Sequence, residues 1–253
     1  MVTRVFPGPS DFENLSRVRT EVSGEANDFD YRDVVVRKPW GYEYLWFQTA
    51  TVAVWMLHLS PKAGTSLHCH ARKRTSLVVL RGRVRCATID DRYELAAGSA
   101  LVLEPCAFHS TTALSPDGAV VLEVESPPRK GDLVRLKDAF GRAGRSYEDV
   151  SQYSRELAGF DYRPLGRIDH GGRPFAFGEV SLRCGQVAGA GDFPMHPGAN
   201  SLLIPLSGCL VFGPRLVAEL AEAVALERIR SEECPAAIGP VEILQVIPAQ
   251  SLC

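Results

Sequence analysis

Three histidines carry the chemistry that this chain can most plainly do. His68 and His70 stand two apart in Gly64-Thr-Ser-Leu-His-Cys-His70, and His109 follows in Leu103-Glu-Pro-Cys-Ala-Phe-His109. Side chains at i and i+2 of a strand project to the same face. His68 and His70 therefore point together, and Cys69 points away. Two imidazoles on one strand face make half of a divalent-metal site, and a third from a neighbouring strand completes it. The plainer alternative is a polar strand face with no ion.

Such a site needs strands, and the sequence supplies them. From Val34 to about Leu136, short apolar stretches alternate with turn residues. The stretches are 42–48, 52–59, 66–70, 76–80, 83–89, 100–103 and 119–125. Turn signals fall at Ser60-Pro-Lys-Ala-Gly64, Arg81-Gly82, Asp90-Asp91, Ala97-Gly98 and Ser115-Pro-Asp-Gly118. Short strands at this spacing predict an all-β sandwich or small barrel. Residues 1–33 are polar and acidic and read as an arm with one short helix near Asp11–Arg19.

The second half carries a weak repeat of the first. His70-Ala-Arg-Lys-Arg-Thr-Ser-Leu-Val-Val-Leu-Arg-Gly82 aligns with His196-Pro-Gly-Ala-Asn-Ser-Leu-Leu-Ile-Pro-Leu-Ser-Gly208. Leu77 then matches Leu203 and Val78 matches Ile204, while Val121-Leu-Glu-Val124 matches Ile243-Leu-Gln-Val246. The copy is degenerate: Pro194 stands where His68 would be, and no counterpart of the His109 segment follows. Leu216, Val217, Leu220, Val224 and Ile229, after Pro214, have helical spacing and predict an added helix over about 215–232.

Composition bounds the rest. The chain has 253 residues, 45% hydrophobic and 23% charged, with net charge −2. That balance gives no reason to expect a nucleic acid or an anionic membrane as partner. No run approaches the roughly 18–20 apolar residues of a membrane span, and no apolar leader opens the chain. The seven cysteines are scattered, with no Cys-x-x-Cys pair, and read as reduced thiols in a cytoplasmic protein.

These segments resemble the cupin superfamily. The run from Gly64 through His68 and His70 to Gly82 approximates its first motif, and Gly98 through His109 approximates its second. Arg37-Lys-Pro-Trp-Gly-Tyr-Glu43 and Asp132-Leu-Val-Arg-Leu-Lys-Asp-Ala-Phe-Gly-Arg142 are similar to small cupins related to the C-terminal domain of type II mannose-6-phosphate isomerases. The resemblance implies a double-stranded β-helix (jelly-roll) barrel over 34–143. A degenerate second cupin-like half over 144–253, carrying the added helix, would make the chain bicupin-like. It also implies one divalent metal on His68, His70 and His109, with Zn or Fe(II) ahead of Mn or Ni. The glutamate of the first motif falls on Thr75, after Arg74, and Cys106 replaces a motif glycine. Thr75, Cys106, Arg74 and Glu43 are therefore pocket candidates, and Cys106 reads equally as a small packed residue.

A carboxylate to replace the missing one has two candidates. Glu104 lies close to His109 in sequence, and Glu123 qualifies if it faces the barrel interior. Arg72, Lys73 and Arg74 read first as a solvated loop and second as an anion clamp. His58 reads as a hydrogen-bonded core residue, His170 as a loop residue and His196 as structural. Trp40, Trp46 and Trp55 read as core, with one of them available to a pocket.

The expectation is a metal-dependent enzyme acting on a sugar phosphate, sugar nucleotide or amino-acid-like metabolite. Isomerase, oxygenase and bond-forming chemistry, the last beside a synthetase-like partner, stay open. A non-catalytic binding or scaffold module is the competing class. The arm, laid along a partner's sheet, predicts a homodimer.

Overall fold

A computed structural model describes residues 1–18, 28–141, 147–165, 174–188, 201–212, 216–228 and 235–249. In the first half an eight-stranded sheet packs on a five-stranded one. The larger sheet runs β1 (Val2–Val5), β9 (Ala100–Leu103), β6 (Arg74–Arg81), β11 (Ala119–Ser126), β4 (Ala53–Leu59), β3 (Gly41–Gln48), β2 (Val35–Lys38) and β13 (Tyr153–Ser154). The smaller runs β12 (Val134–Lys137), β5 (Leu67–Cys69), β10 (His109–Ala113), β7 (Arg83–Thr88) and β8 (Arg92–Ala96). This strand order is a double-stranded β-helix, and the chain is nearly all β.

Both faces of the larger sheet are buried. Along β6, Leu77 and Val79 point into the barrel with Trp55, Leu101 and Val121, while Val78 and Leu80 point outward. The outward residues share a second core with Leu182, Ile204 and Leu244 of the second half. A strand buried on both sides reads as a continuous apolar run rather than an alternating one, which explains Val52–Leu59 and Ala119–Val124.

The first barrel also draws on residues outside 34–143. The arm does not extend away. Its strand β1 runs parallel to the β9 edge of its own chain, so the edge that a partner's arm was expected to cover is covered in cis. Helix α1 (Pro9–Arg17) follows, with Pro9 in its first turn. Asp11 accepts from Gly8 N at 2.8 Å to close that turn, and its other oxygen accepts from Phe108 N at 2.8 Å. A residue of the arm thus anchors the backbone immediately before His109. From the other side, β13 joins β2, with Tyr153 opposite Val36.

The second half holds a five-stranded sheet, β14 (Phe175–Phe177), β15 (Val180–Val187), β21 (Val241–Pro248), β16 (Leu202–Pro205) and β19 (Val224–Ala225). A three-stranded sheet accompanies it: β18 (Leu216–Ala218), β17 (Cys209–Phe212) and β20 (Pro235–Ile238). The repeat holds at the level of register. Leu77 pairs with Glu123 and Val78 with Leu122; at the matched positions Leu203 pairs with Gln245 and Ile204 with Leu244. His170, Pro194, His196, Pro214 and Ile229 lie outside the described residues.

The helix expected over 215–232 is not found in its described part. Leu216–Ala218 pairs with β17, Val224–Ala225 pairs with β16, and Leu226–Arg228 is a single 3-10 turn. Ala221 sits at φ +60, which interrupts a right-handed helix. Apolar spacing of three and four serves two short strands joined by a turn as readily as a helix. Ser76 of the first barrel grips that turn, donating to Ala221 O and accepting from Ala223 N at 3.1 Å.

Candidate metal centre

His68 and His109 face each other across β5 and β10, and His70 follows directly on β5. Their ring centroids are 4.5 Å (His68–His109), 5.1 Å (His68–His70) and 5.4 Å (His70–His109) apart. One nitrogen from each lies within 4.8 Å of the other two. Cys69 points away into a separate small core with Phe108 and Val134, as the strand period requires.

Each ring is oriented by the backbone. His68 Nδ1 lies 2.8 Å from Ser66 O, His70 Nδ1 2.6 Å from Asp132 O, and His109 Nδ1 3.0 Å from Ala107 O. A carbonyl only accepts, so each Nδ1 carries the proton and each Nε2 keeps a free lone pair. Carbonyls that orient the second ring nitrogen are the usual support of a metal-ligating histidine. His70 Nε2 is buried and has no hydrogen-bond partner among the described residues. Burial holds all three imidazoles neutral. It brings His109 down to about 4, and the positive charge of Lys73 adds to the effect. His68 and His70 are also pushed well below the ordinary range, by burial first and then by the charge of His109 and Lys73 respectively. Three neutral, pre-oriented nitrogens fit a divalent ion.

A carboxylate stands beside them. Glu123 shares the inward face of β11 with Val121, and its Oε1 lies 3.8 Å from His70 Nε2. Burial raises its carboxyl above the usual range, against the pull of Lys130 and Lys73. Thr75, in the position of the motif glutamate, also lies on the inward face, 1% exposed, and its Oγ1 has no partner among the described residues. The acid near the histidines thus comes from β11, the strand beside Thr75.

The other candidates separate. Glu43 lines the same cavity as the histidines. It accepts from Lys130 at 2.9 Å and from Tyr147 OH, with Lys38 at 3.4 Å. Burial alone would raise its carboxyl, but Lys130 and Lys38 outweigh that and bring it down to about 2. Glu104 does not join the histidines. It lies at the outer cleft between the halves, tied to Arg4 at 2.6 Å and Arg74 at 3.0 Å. Arg74 reaches outward to Glu219 at 2.7 Å and lines that same cleft. The run Arg72-Lys73-Arg74 is not one solvated loop: Lys73 is 2% exposed and paired with Glu125 inside the barrel. Cys106 sits at φ +73, half-buried, with its thiol toward Ala71 O at 3.7 Å. Left-handed backbone is why a glycine belongs there. His58 stacks on Tyr42 at 4.4 Å, and its Nε2 has no hydrogen-bond partner among the described residues, contrary to the expected hydrogen-bonded core residue. Trp40 lines the cavity, while Trp46 is core.

Sequence reading missed most of the charged wall. Lys38, Lys130, Arg135, Tyr147 and Glu148 all line the cavity. Arg135 stands opposite His68 in the β12–β5 register, so Arg135, His68 and His109 form one row across the sheet. A cation inside an otherwise apolar strand, as in Leu133-Val-Arg135-Leu136, was the available signal.

No protein-family model matches the chain, and no curated protein matches it. Solved structures with partial likeness include KdgF from Halomonas sp., 23% identical over 36% of this chain and 84% of that one, TM-score 0.35. An uncharacterized conserved protein with a double-stranded beta-helix domain from Klebsiella pneumoniae is 16% identical over 38% and 84%, TM-score 0.35. The Schizosaccharomyces pombe Cnp3 cupin domain is 8% identical over 40% and 67%, TM-score 0.33. At these TM-scores, the double-stranded β-helix is established by the strand order and register described above. Among the described residues, no helix is long and apolar enough to cross a membrane.

Proposed function

We propose that this chain is a metal-dependent enzyme of the cupin type acting on a small polar metabolite inside the first barrel. The observation that carries the reading is the set of three neutral histidines, each with Nδ1 held by a carbonyl and Nε2 turned to a shared point, beside the Glu123 carboxyl. A divalent ion there would act as a Lewis acid on a ligand oxygen. Glu123 is the group placed to take or return a proton at the ligand. Lys130 and Lys73 moderate its charge, and Trp40 and Leu57 keep the wall apolar. Isomerase and bond-forming chemistry both fit these parts, with the nature of the ion deciding whether oxygen chemistry enters.

Metal analysis of protein expressed with Zn or Fe(II) tests the reading. One ion per chain is expected, and none in His68→Ala with His109→Ala, while the far-UV circular dichroism stays the same. A full metal complement in the double variant removes the site assignment. Glu123→Gln is expected to keep the ion and lose turnover in a trial of sugar phosphates and thiol-containing amino acids. A loaded wild type that turns over none of them favours the non-catalytic binding module instead.

A further inference from the structure

We infer that Lys38 and Arg135 form a carboxylate-binding subsite of the metal cavity, and that Glu148 fills it from within the chain when no ligand is bound. The inference rests on the metal-enzyme reading above and names the class of ligand: a metabolite bearing a carboxylate. Its basis is how the buried charges pair. Lys73 is matched by Glu125, and Lys130 by Glu43 at 2.9 Å. Glu123 faces the histidines. The remaining cations are Lys38 and Arg135, each with a side chain only 3% exposed. The carboxylate they share is Glu148, 2.9 Å from Arg135 Nη2 and 3.3 Å from Lys38 Nζ. Burial brings Lys38 down to about 8 although Glu43 and Glu148 pull the other way, so this cation is still short of negative charge.

Glu148 does not belong to the barrel strands. It lies on a strap, residues 147–154, whose Val150 is 65% exposed and whose only strand, β13, is two residues long. The other inward tie is the hydrogen bond from Tyr147 OH to Glu43. With the strap in place, the cavity's free volume is about 50 Å³, room for a few waters and no metabolite. Entry of a metabolite therefore requires the strap to move. Its departure alone would leave two buried cations without their carboxylate, which costs several kcal/mol. An incoming carboxylate removes that cost by taking the same place. The strand register then sets the direction in which such a ligand lies. Arg135 is the cross-strand neighbour of His68, and such neighbours have Cβ atoms about 5 Å apart on one face. A carboxylate held by Arg135 lays the rest of its molecule over the three histidines.

The test uses the full-length protein, dialysed free of metal, with acetate as probe and acetamide as its neutral counterpart. Glu148→Ala is expected to melt below wild type, and acetate, not acetamide, is expected to restore much of the difference. Acetate should bind this variant about tenfold or more tightly than wild type, a difference of about 1.4 kcal/mol. Adding Arg135→Met should abolish the gain. In wild type, acetate should speed amide hydrogen exchange across 147–154, because anion and strap compete. Should Glu148→Ala not fold, Glu148→Gln in the same titration keeps the shape and removes the charge. Equal effects of acetate and acetamide, or exchange across 147–154 that is unchanged or slowed, overturn the subsite. Inorganic phosphate in a parallel arm should bind more weakly than acetate; tighter phosphate binding overturns the assignment to a carboxylate. None of these readings needs the metal, so a chain without a bound ion would refute the enzyme reading and leave this result standing on its own.

Discussion

Replacing Glu43 with Gln removes one charge from the wall of the metal cavity and keeps the shape. The carboxyl is held at about 2 rather than 4.5, because Lys130 and Lys38 outweigh the cost of burying it. A depression of that size corresponds to roughly 3 kcal/mol of stability at neutral pH. Removing one partner of a buried ion pair independently suggests about 3–5 kcal/mol. The direction with pH comes from the depressed folded value. The stabilisation is fully present above the unfolded value near 4.5 and disappears as pH falls through about 2. At pH 3.5 the same linkage leaves about 2 kcal/mol. Urea unfolding read by tryptophan fluorescence reports the difference, since Trp40 and Trp55 both lie in the first barrel's core. Glu43→Gln is expected to cost about 3 kcal/mol at pH 7 and visibly less at pH 3.5. A cost below about 1 kcal/mol at pH 7, or equal costs at the two pH values, would refute the electrostatic account of this wall.

Two further outcomes are expected. Cys106→Gly should raise the urea midpoint, by up to about 1 kcal/mol of stability, because φ +73 strains any residue with a Cβ; a lower midpoint would show that the thiol's packing matters more. Deleting residues 1–18 uncovers the β9 edge and removes Asp11 from Phe108 N. Light scattering should then show mass well above the 27.6 kDa of one chain, and a truncated protein with the same mass as the full chain would mean that the edge is protected in another way.

The strands around the ligands were legible because their apolar runs are short and bounded by turn residues. The three histidines were legible because strand period and register are simple geometry: His68, His70 and His109 meet as the spacing requires. The repeat was legible as matched residues, and it recurs as matched pairs, Leu77 with Glu123 and Leu203 with Gln245. The hidden features depend on long-range pairing. Glu104 is close to His109 in sequence, yet β9 ends facing the outer cleft, where Arg4 and Arg74 claim it. Lys73 and Arg74 are neighbours that point to opposite faces of one strand, so one is a cavity residue and the other is not. Glu148 and Tyr147 come from beyond the first barrel's expected end, and no local pattern ties them to Lys38 or Glu43. The expected helix failed because Leu216–Ala218 finds a strand partner in β17, which apolar spacing alone does not reveal.

The core between the two halves has a thermodynamic consequence. Val78, Leu80 and Met56 of the first half are fully buried only because Leu182, Ile204 and Leu244 cover them. Neither half can unfold without exposing the other's apolar surface, so the two should melt in one transition. Ligand energy is shared across such a transition. An ion at a hundred times its dissociation constant adds about 2.7 kcal/mol to the folded state. That gain would be felt equally at Leu244, in a half whose described residues touch none of the ligating histidines. A metal titration monitored by hydrogen exchange would then show protection rising in β15 and β21 together with β5 and β10.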